Sequence, residues 1–134
     1  MEVFFYGLFM DKELLKKKGL QISNPRQGYL DNYTLKIGDR ASLISCKSAK
    51  AYGLLMTVKE EEVATLYAEK SLADYAPENV TIVTQTNEEV KATCYNLPQE
   101  LLTGTNEHYA KNLHNLSKKL NFPNDYLNII KKTE

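Results

Sequence analysis

The chain has 134 residues, 43% hydrophobic and 25% charged, which is one ordinary domain, 1–134, large enough to build its own core. Seventeen Lys plus Arg balance seventeen Asp plus Glu. This balance argues against a nucleic-acid binder, which normally shows a net basic footprint, and against a polybasic membrane adaptor.

In chain order, Glu2–Tyr6 reads as a short apolar strand, and Gly7 follows where a sharp turn or close backbone approach is possible. The opening MEVFFYGLFM lacks a basic region and a small-residue cleavage site, and Val3–Met10 is too short to span a bilayer. The expected compartment is the cytoplasm. Asp11–Lys18 is predicted as a helix with Asp11 as N-cap, Lys16–Lys18 as a solvated end and Gly19 at C′. Asn24-Pro25 marks a turn, and Gly28–Thr57 is β-rich. There Tyr33, Leu35 and Ile37 alternate with Thr34 and Lys36, Gly38-Asp39 signals a turn, and Ala41–Cys46 and Ala51–Val58 have strand length.

Thr57-Val-Lys-Glu60 has the form of a capping box opening a helix to Ala68, with Val63, Leu66 and Tyr67 as its buried stripe. Ser71–Glu78, containing Pro77, reads as a loop. Val80–Thr86 and Val90–Asn96 read as a hairpin across Asn87–Glu89. Thr103–Asn106 leads into a helix of about fifteen residues, in which Tyr109, Leu113, Leu116 and Leu120 keep helical spacing. Phe122-Pro123 breaks it, and Asn124–Lys132 forms a last helix. The order is that of an α+β domain with a barrel-like, mostly antiparallel or mixed sheet under helical cover.

Several chemistries lack their residues. His108 and His114 are too far apart for the i, i+4 spacing of a shared metal, and no Cys/His cluster or carboxylate-rich metal motif occurs. Glycine-rich phosphate cradles and the GxSxG elbow are missing. Cys46 and Cys94, in no CxxC pattern and on apolar stretches, read as buried small hydrophobes.

Two segments remain. In Phe4–Met10, a strand running through Tyr6-Gly7 into a short helix can expose several backbone N–H groups that bind a carboxylate or an oxyanion; the plainer reading is a strand end with a glycine turn. In Leu66–Tyr75, Glu69 falls at the negative end of a helix, a poor placement for structure alone and a better one for a proton acceptor. The plainer reading is a solvated Glu paired with a nearby Lys.

Together, FFYGLFMDKELL, GDRASL, AYGLLMTVKEEEVATLYAE, the Tyr75-Ala-Pro-Glu loop and TGTNEHYAKNLHNLSKKLNFPNDYL resemble the γ-glutamylcyclotransferase-like family, which includes the AIG2-like proteins. The resemblance covers nearly the whole chain and rests on order and spacing. It implies a small mixed β-barrel with flanking helices around a cavity. It also implies an enzyme that releases an amine or amino acid from a γ-glutamyl amide and forms 5-oxoproline. The nucleophile is the substrate's own α-amine, so neither cofactor nor metal is required. By the same resemblance Glu69 is the catalytic acid–base, with Asp74 and Glu78 as fallbacks. Tyr6, Gly7, Leu8 and Phe9 match the substrate-binding YGxx loop, whose backbone would contact the glutamyl part, and Tyr75 a cavity-lining tyrosine. Typical members carry Gly directly after the catalytic Glu, where this chain has Lys70, and Leu8-Phe9 brings no polar side chain to the loop. The rival readings are a binding module that keeps the cavity without chemistry, with Glu69 turned to solvent or locked by Lys70, and an interaction domain using an exposed apolar patch on Tyr109–Ile130.

Overall fold

A computed structural model of the chain describes residues 1–131. Its strands are β1 (Glu2–Phe5), β2 (Ile22–Ile37), β3 (Ala41–Val58), β4 (Ala76–Thr84) and β5 (Glu89–Asn96). Its helices are α1 (Lys12–Lys17), α2 (Glu60–Tyr67), α3 (Glu107–Lys119) and α4 (Asn124–Lys131). The expected end of the last helix at Lys132 lies outside the described residues. The strands close into a barrel in the order β1-β3-β2-β4-β5. Closure is by β1 against β5 in parallel, with Val3 opposite Thr93, and the other neighbours pair antiparallel.

The apolar residues of β1 and of the second half of β3 supply most of one wall: Val3, Phe4, Phe5, Leu54, Leu55 and Met56 are all buried. Ile82 and Cys94 complete the interior from β4 and β5. Helices α3 and α4 turn their stripes inward, burying Ala110, Leu113, Tyr126, Leu127 and Ile130. Tyr52 of β3 meets Phe122 and Tyr126 at ring distances of 5.9 and 5.1 Å, which seals the helical layer with aromatic contacts. The large hydrophobics exposed among the described residues are Met1 and Leu101, so the patch required by the interaction-domain reading is not on these helices. No described helix is long and apolar enough to cross a membrane.

Local chemistry explains where the elements stop. The Asp11 side chain accepts from the Glu13 N–H at 3.0 Å and caps α1. Gly19, at φ 91°, ends it with its N–H donating to the Lys16 carbonyl. Elsewhere the β-structure is longer than the local signals predict. β2 runs through Asn24-Pro25, absorbing them as an irregularity between Ser23 and Arg26, with Asn24 at φ 50°. β3 is one strand of 18 residues rather than two. Its middle bulges out near Ser48, whose N–H donates to Asn32 Oδ1. Cys46 sits on that outward segment and is exposed, contrary to its expected burial, while Cys94 is buried.

Thr57 is not the cap of α2. It stays in β3, and its hydroxyl donates to Glu2, which also pairs with Arg26. Lys59 precedes the helix without a side-chain cap. β4 starts at Ala76, so Pro77 and Glu78 pair with Tyr95 and Cys94 instead of belonging to a loop.

Candidate active site

Beyond Phe5 the chain leaves the barrel at Tyr6-Gly7 and winds into a tight 3-10 turn, Leu8–Met10. This end of the barrel holds a cavity of about 420 Å³, within the roughly 300–1,000 Å³ common for small-molecule sites. Tyr6, Gly7, Leu8, Phe9 and Tyr75 all line it. They are joined by residues from every layer: Leu14 and Lys18 from the α1 region, Asp39–Ala41 from the β2–β3 turn, Tyr67 from α2, Tyr95 from β5 and Tyr109 from α3. A second hollow, about 500 Å³, between Asp11–Glu13, Pro25–Gln27 and Thr84–Thr86 contains none of the candidate residues.

The walls are aromatic and the polar atoms are few. Tyr67 stacks on Tyr95 with centroids 3.9 Å apart and meets Phe9 edge-on at 6.4 Å. The Tyr6 hydroxyl donates to the Tyr95 carbonyl at 2.8 Å, and the Tyr75 hydroxyl to the Ala41 carbonyl at 2.6 Å. Both tyrosines are therefore already anchored to barrel backbone. Burial raises the pKa of Tyr6, Tyr67 and Tyr75, and pushes that of Tyr109 up to about 12. Uncharged phenols surround the cavity at neutral pH.

Tyr109 is held from two sides. Asn106 caps α3 by accepting from the Tyr109 N–H at 2.9 Å and ties the helix start to the β2–β3 turn through the Asp39 carbonyl at 3.2 Å. The Tyr109 hydroxyl accepts the Leu8 N–H at 3.3 Å. A Cβ on residue 7 would lie under 3.0 Å from that hydroxyl oxygen. Gly7 is extended, so glycine serves here to admit the phenol, not to reach an unusual φ.

Glu69 lies two residues past α2, outside the cavity lining and at its margin. Both its carboxylate oxygens accept from Lys18 Nζ, at 3.2 and 3.1 Å. The two side chains are 37% and 36% exposed, so solvent screens the pair and little free energy opposes its opening. The partner is thus Lys18, which does line the cavity, and not the exposed neighbour Lys70. Asp74 is exposed and pairs with Arg40 at 3.2 Å, and exposed Glu78 accepts from the Tyr33 hydroxyl at 2.9 Å. Neither lines the cavity.

Lys18, Arg40, Tyr67, Tyr95 and Tyr109 were not singled out as site residues by the sequence. Lys18 looks like a solvated helix end, and Tyr67 and Tyr109 look like ordinary apolar-stripe positions. The available signal was compositional: nine Tyr in a chain without Trp.

Comparison with known proteins adds a family model and solved folds. The model described as "Gamma-glutamyl cyclotransferase, AIG2-like" matches residues 3–116. A solved gamma-glutamyl cyclotransferase is similar over 100% of this chain and 88% of its own, with a TM-score of 0.80 at 15% identity. An uncharacterised human protein is similar over 99% and 87%, TM-score 0.75, at 16% identity. A yeast gamma-glutamyl cyclotransferase specific to glutathione is similar over 99% and 94%, TM-score 0.70, at 10% identity. No curated protein matches the chain by sequence.

Proposed function

Since the chain belongs to the gamma-glutamyl cyclotransferase, AIG2-like family, we propose that it releases an amine or amino acid from a γ-glutamyl amide and leaves 5-oxoproline. Glu69 moves the protons. The observation that carries this reading is the single cavity that gathers Tyr6–Phe9 and Tyr75, with Glu69 one ammonium group away from it.

The chemistry asks little of the protein. The substrate's α-amine attacks its own γ-carbonyl carbon, a new C–N bond forms, and the old amide C–N bond breaks. Aromatic walls that force the glutamyl chain into a near-cyclic pose supply the entropy advantage of an intramolecular reaction. The α-ammonium surrenders two protons on becoming a lactam N–H, and the departing nitrogen gains two to leave as an ammonium. One carboxylate acting first as base and then as acid balances these transfers. Opening the Lys18 pair frees Glu69 for the substrate's α-ammonium, which replaces one cation with another.

The test is incubation of the wild-type protein with a panel of γ-glutamyl amino acids and amines, following 5-oxoproline by mass spectrometry. Release of 5-oxoproline with stoichiometric free amine is the expected result. A specific observation favours a second reading, a binding module without turnover: Glu69 is engaged by Lys18 and stands outside the cavity lining. That reading expects a panel member to bind, by calorimetry, with no 5-oxoproline formed.

A further inference from the structure

The YGxx loop is expected to offer its backbone N–H groups to the substrate, yet the Leu8 N–H is already engaged: it donates to the Tyr109 hydroxyl at 3.3 Å. Tyr109, which receives it, lines the cavity. Its own proton has no acceptor among the described residues, unlike those of Tyr6 and Tyr75, which donate to backbone carbonyls. Tyr109 is therefore the cavity tyrosine whose hydroxyl is held as an acceptor on one side and left as a donor on the other. Accepting from Leu8 polarises the O–H bond and makes it a better donor. Gly7 leaves room for the phenol at that spot, because a Cβ there would collide with it. The N-cap bond from the Tyr109 N–H to Asn106 fixes the start of the helix that carries it.

Building on the cyclotransferase reading, we propose that Tyr109 is a catalytic residue: its hydroxyl donates to the γ-carbonyl oxygen of the substrate and stabilises the oxyanion formed when the α-amine adds. The Leu8 N–H acts through that hydroxyl instead of touching the substrate. The proton stays on the phenol throughout. With its pKa pushed up to about 12 by burial, Tyr109 is a neutral donor at any ordinary assay pH. The oxyanion collapses by expelling the leaving nitrogen, whose protons come from Glu69, so Tyr109 adds no proton to the balance.

The test is the Tyr109→Phe variant, which keeps the ring and its packing. Loss of one preorganised oxyanion donor lowers kcat about 100-fold with KM within about threefold. A role confined to accepting the Leu8 N–H is separated by the infrared band of bound 5-oxoproline carrying a ¹³C label at its lactam carbonyl. A hydroxyl donating to that oxygen lowers the band in the wild type, and the lowering disappears in Tyr109→Phe. A variant with kcat within threefold of wild type, or an identical band in both proteins, overturns the proposal. A wild type that binds 5-oxoproline but turns over no γ-glutamyl amide overturns the cyclotransferase reading and with it the catalytic role, while the band still decides whether Tyr109 touches the ligand. A wild type with neither binding nor turnover overturns both.

Discussion

Gly7 and Lys18 place the sharpest demands on single residues. Gly7→Ala puts a methyl against the Tyr109 hydroxyl. The overpacking costs about 1–3 kcal/mol, read as a lowered urea midpoint, and activity falls at least tenfold because Tyr109 and the Leu8 turn are pushed apart. Wild-type kcat/KM in Gly7→Ala would show that the close approach is dispensable. Lys18→Met removes a solvent-screened pair, so stability changes by less than about 1 kcal/mol in the same assay; a loss of several times that would mean that the pair holds the fold. The sequence allowed a close approach at Gly7 and a Lys partner for Glu69, but not the identity of either partner. Lys18 and Glu69 are 51 positions apart and Leu8 and Tyr109 are 101 apart, and no periodicity within one helix or strand encodes such meetings. Tyr6–Phe9 and Glu69 stood out locally, at a strand end and a helix end, but only weakly; the family pattern gave them their roles and added Tyr75.

Among the elements, the helix ends that rely on their own side chains were legible and the long strands were not. Asp11 and Gly19 bound α1 as expected, since capping is decided within a few residues. In the structure Asn106 likewise caps α3, and its acceptor bond is to the Tyr109 N–H. Asn106→Ala costs about 1 kcal/mol, measured by thermal unfolding, and lowers turnover as well because the Asp39 tether is lost with the cap. Destabilisation with undiminished kcat in Asn106→Ala would separate the cap from the site. Asn24-Pro25 and Pro77 misled as turn signals for one reason. The barrel supplies partners that carry β2 across an irregularity and hold β4 in register with β5 from Ala76 onward, and cross-strand pairing overrides local turn preference. Thr57 likewise follows its ladder and its bond to Glu2 in preference to the capping box.

For the whole molecule, α+β with a mixed barrel under helices was the expected class, and the closed five-stranded barrel with four helices agrees with it. Burying phenols and a thiol in that barrel makes its stability sensitive to base. Cys94 is pushed by burial from 9.0 up to about 12, and Tyr109 from 10.0 up to about 12. A group whose folded pKa is raised contributes fully below its unfolded value and loses that contribution as the pH rises through the folded one. The melting temperature therefore holds below pH 9 and falls progressively between about pH 9 and 12. Cys94→Ala lowers the melting temperature at neutral pH by opening a small cavity, but flattens the earliest part of the alkaline decline. A melting temperature unchanged across that window would contradict the buried, neutral state of these groups.

The proposed mechanism assigns the proton transfers to one carboxylate, Glu69. The most direct measurement compares wild type with Glu69→Gln on the same γ-glutamyl substrate, following 5-oxoproline by mass spectrometry, with melting temperatures recorded for both. If Glu69 carries the protons as proposed, the substitution cuts turnover by at least about 100-fold with the melting temperature unchanged, since the lost Lys18 pair is solvent-screened. Turnover in Glu69→Gln within a few-fold of wild type would contradict this mechanism and transfer the proton chemistry to another group.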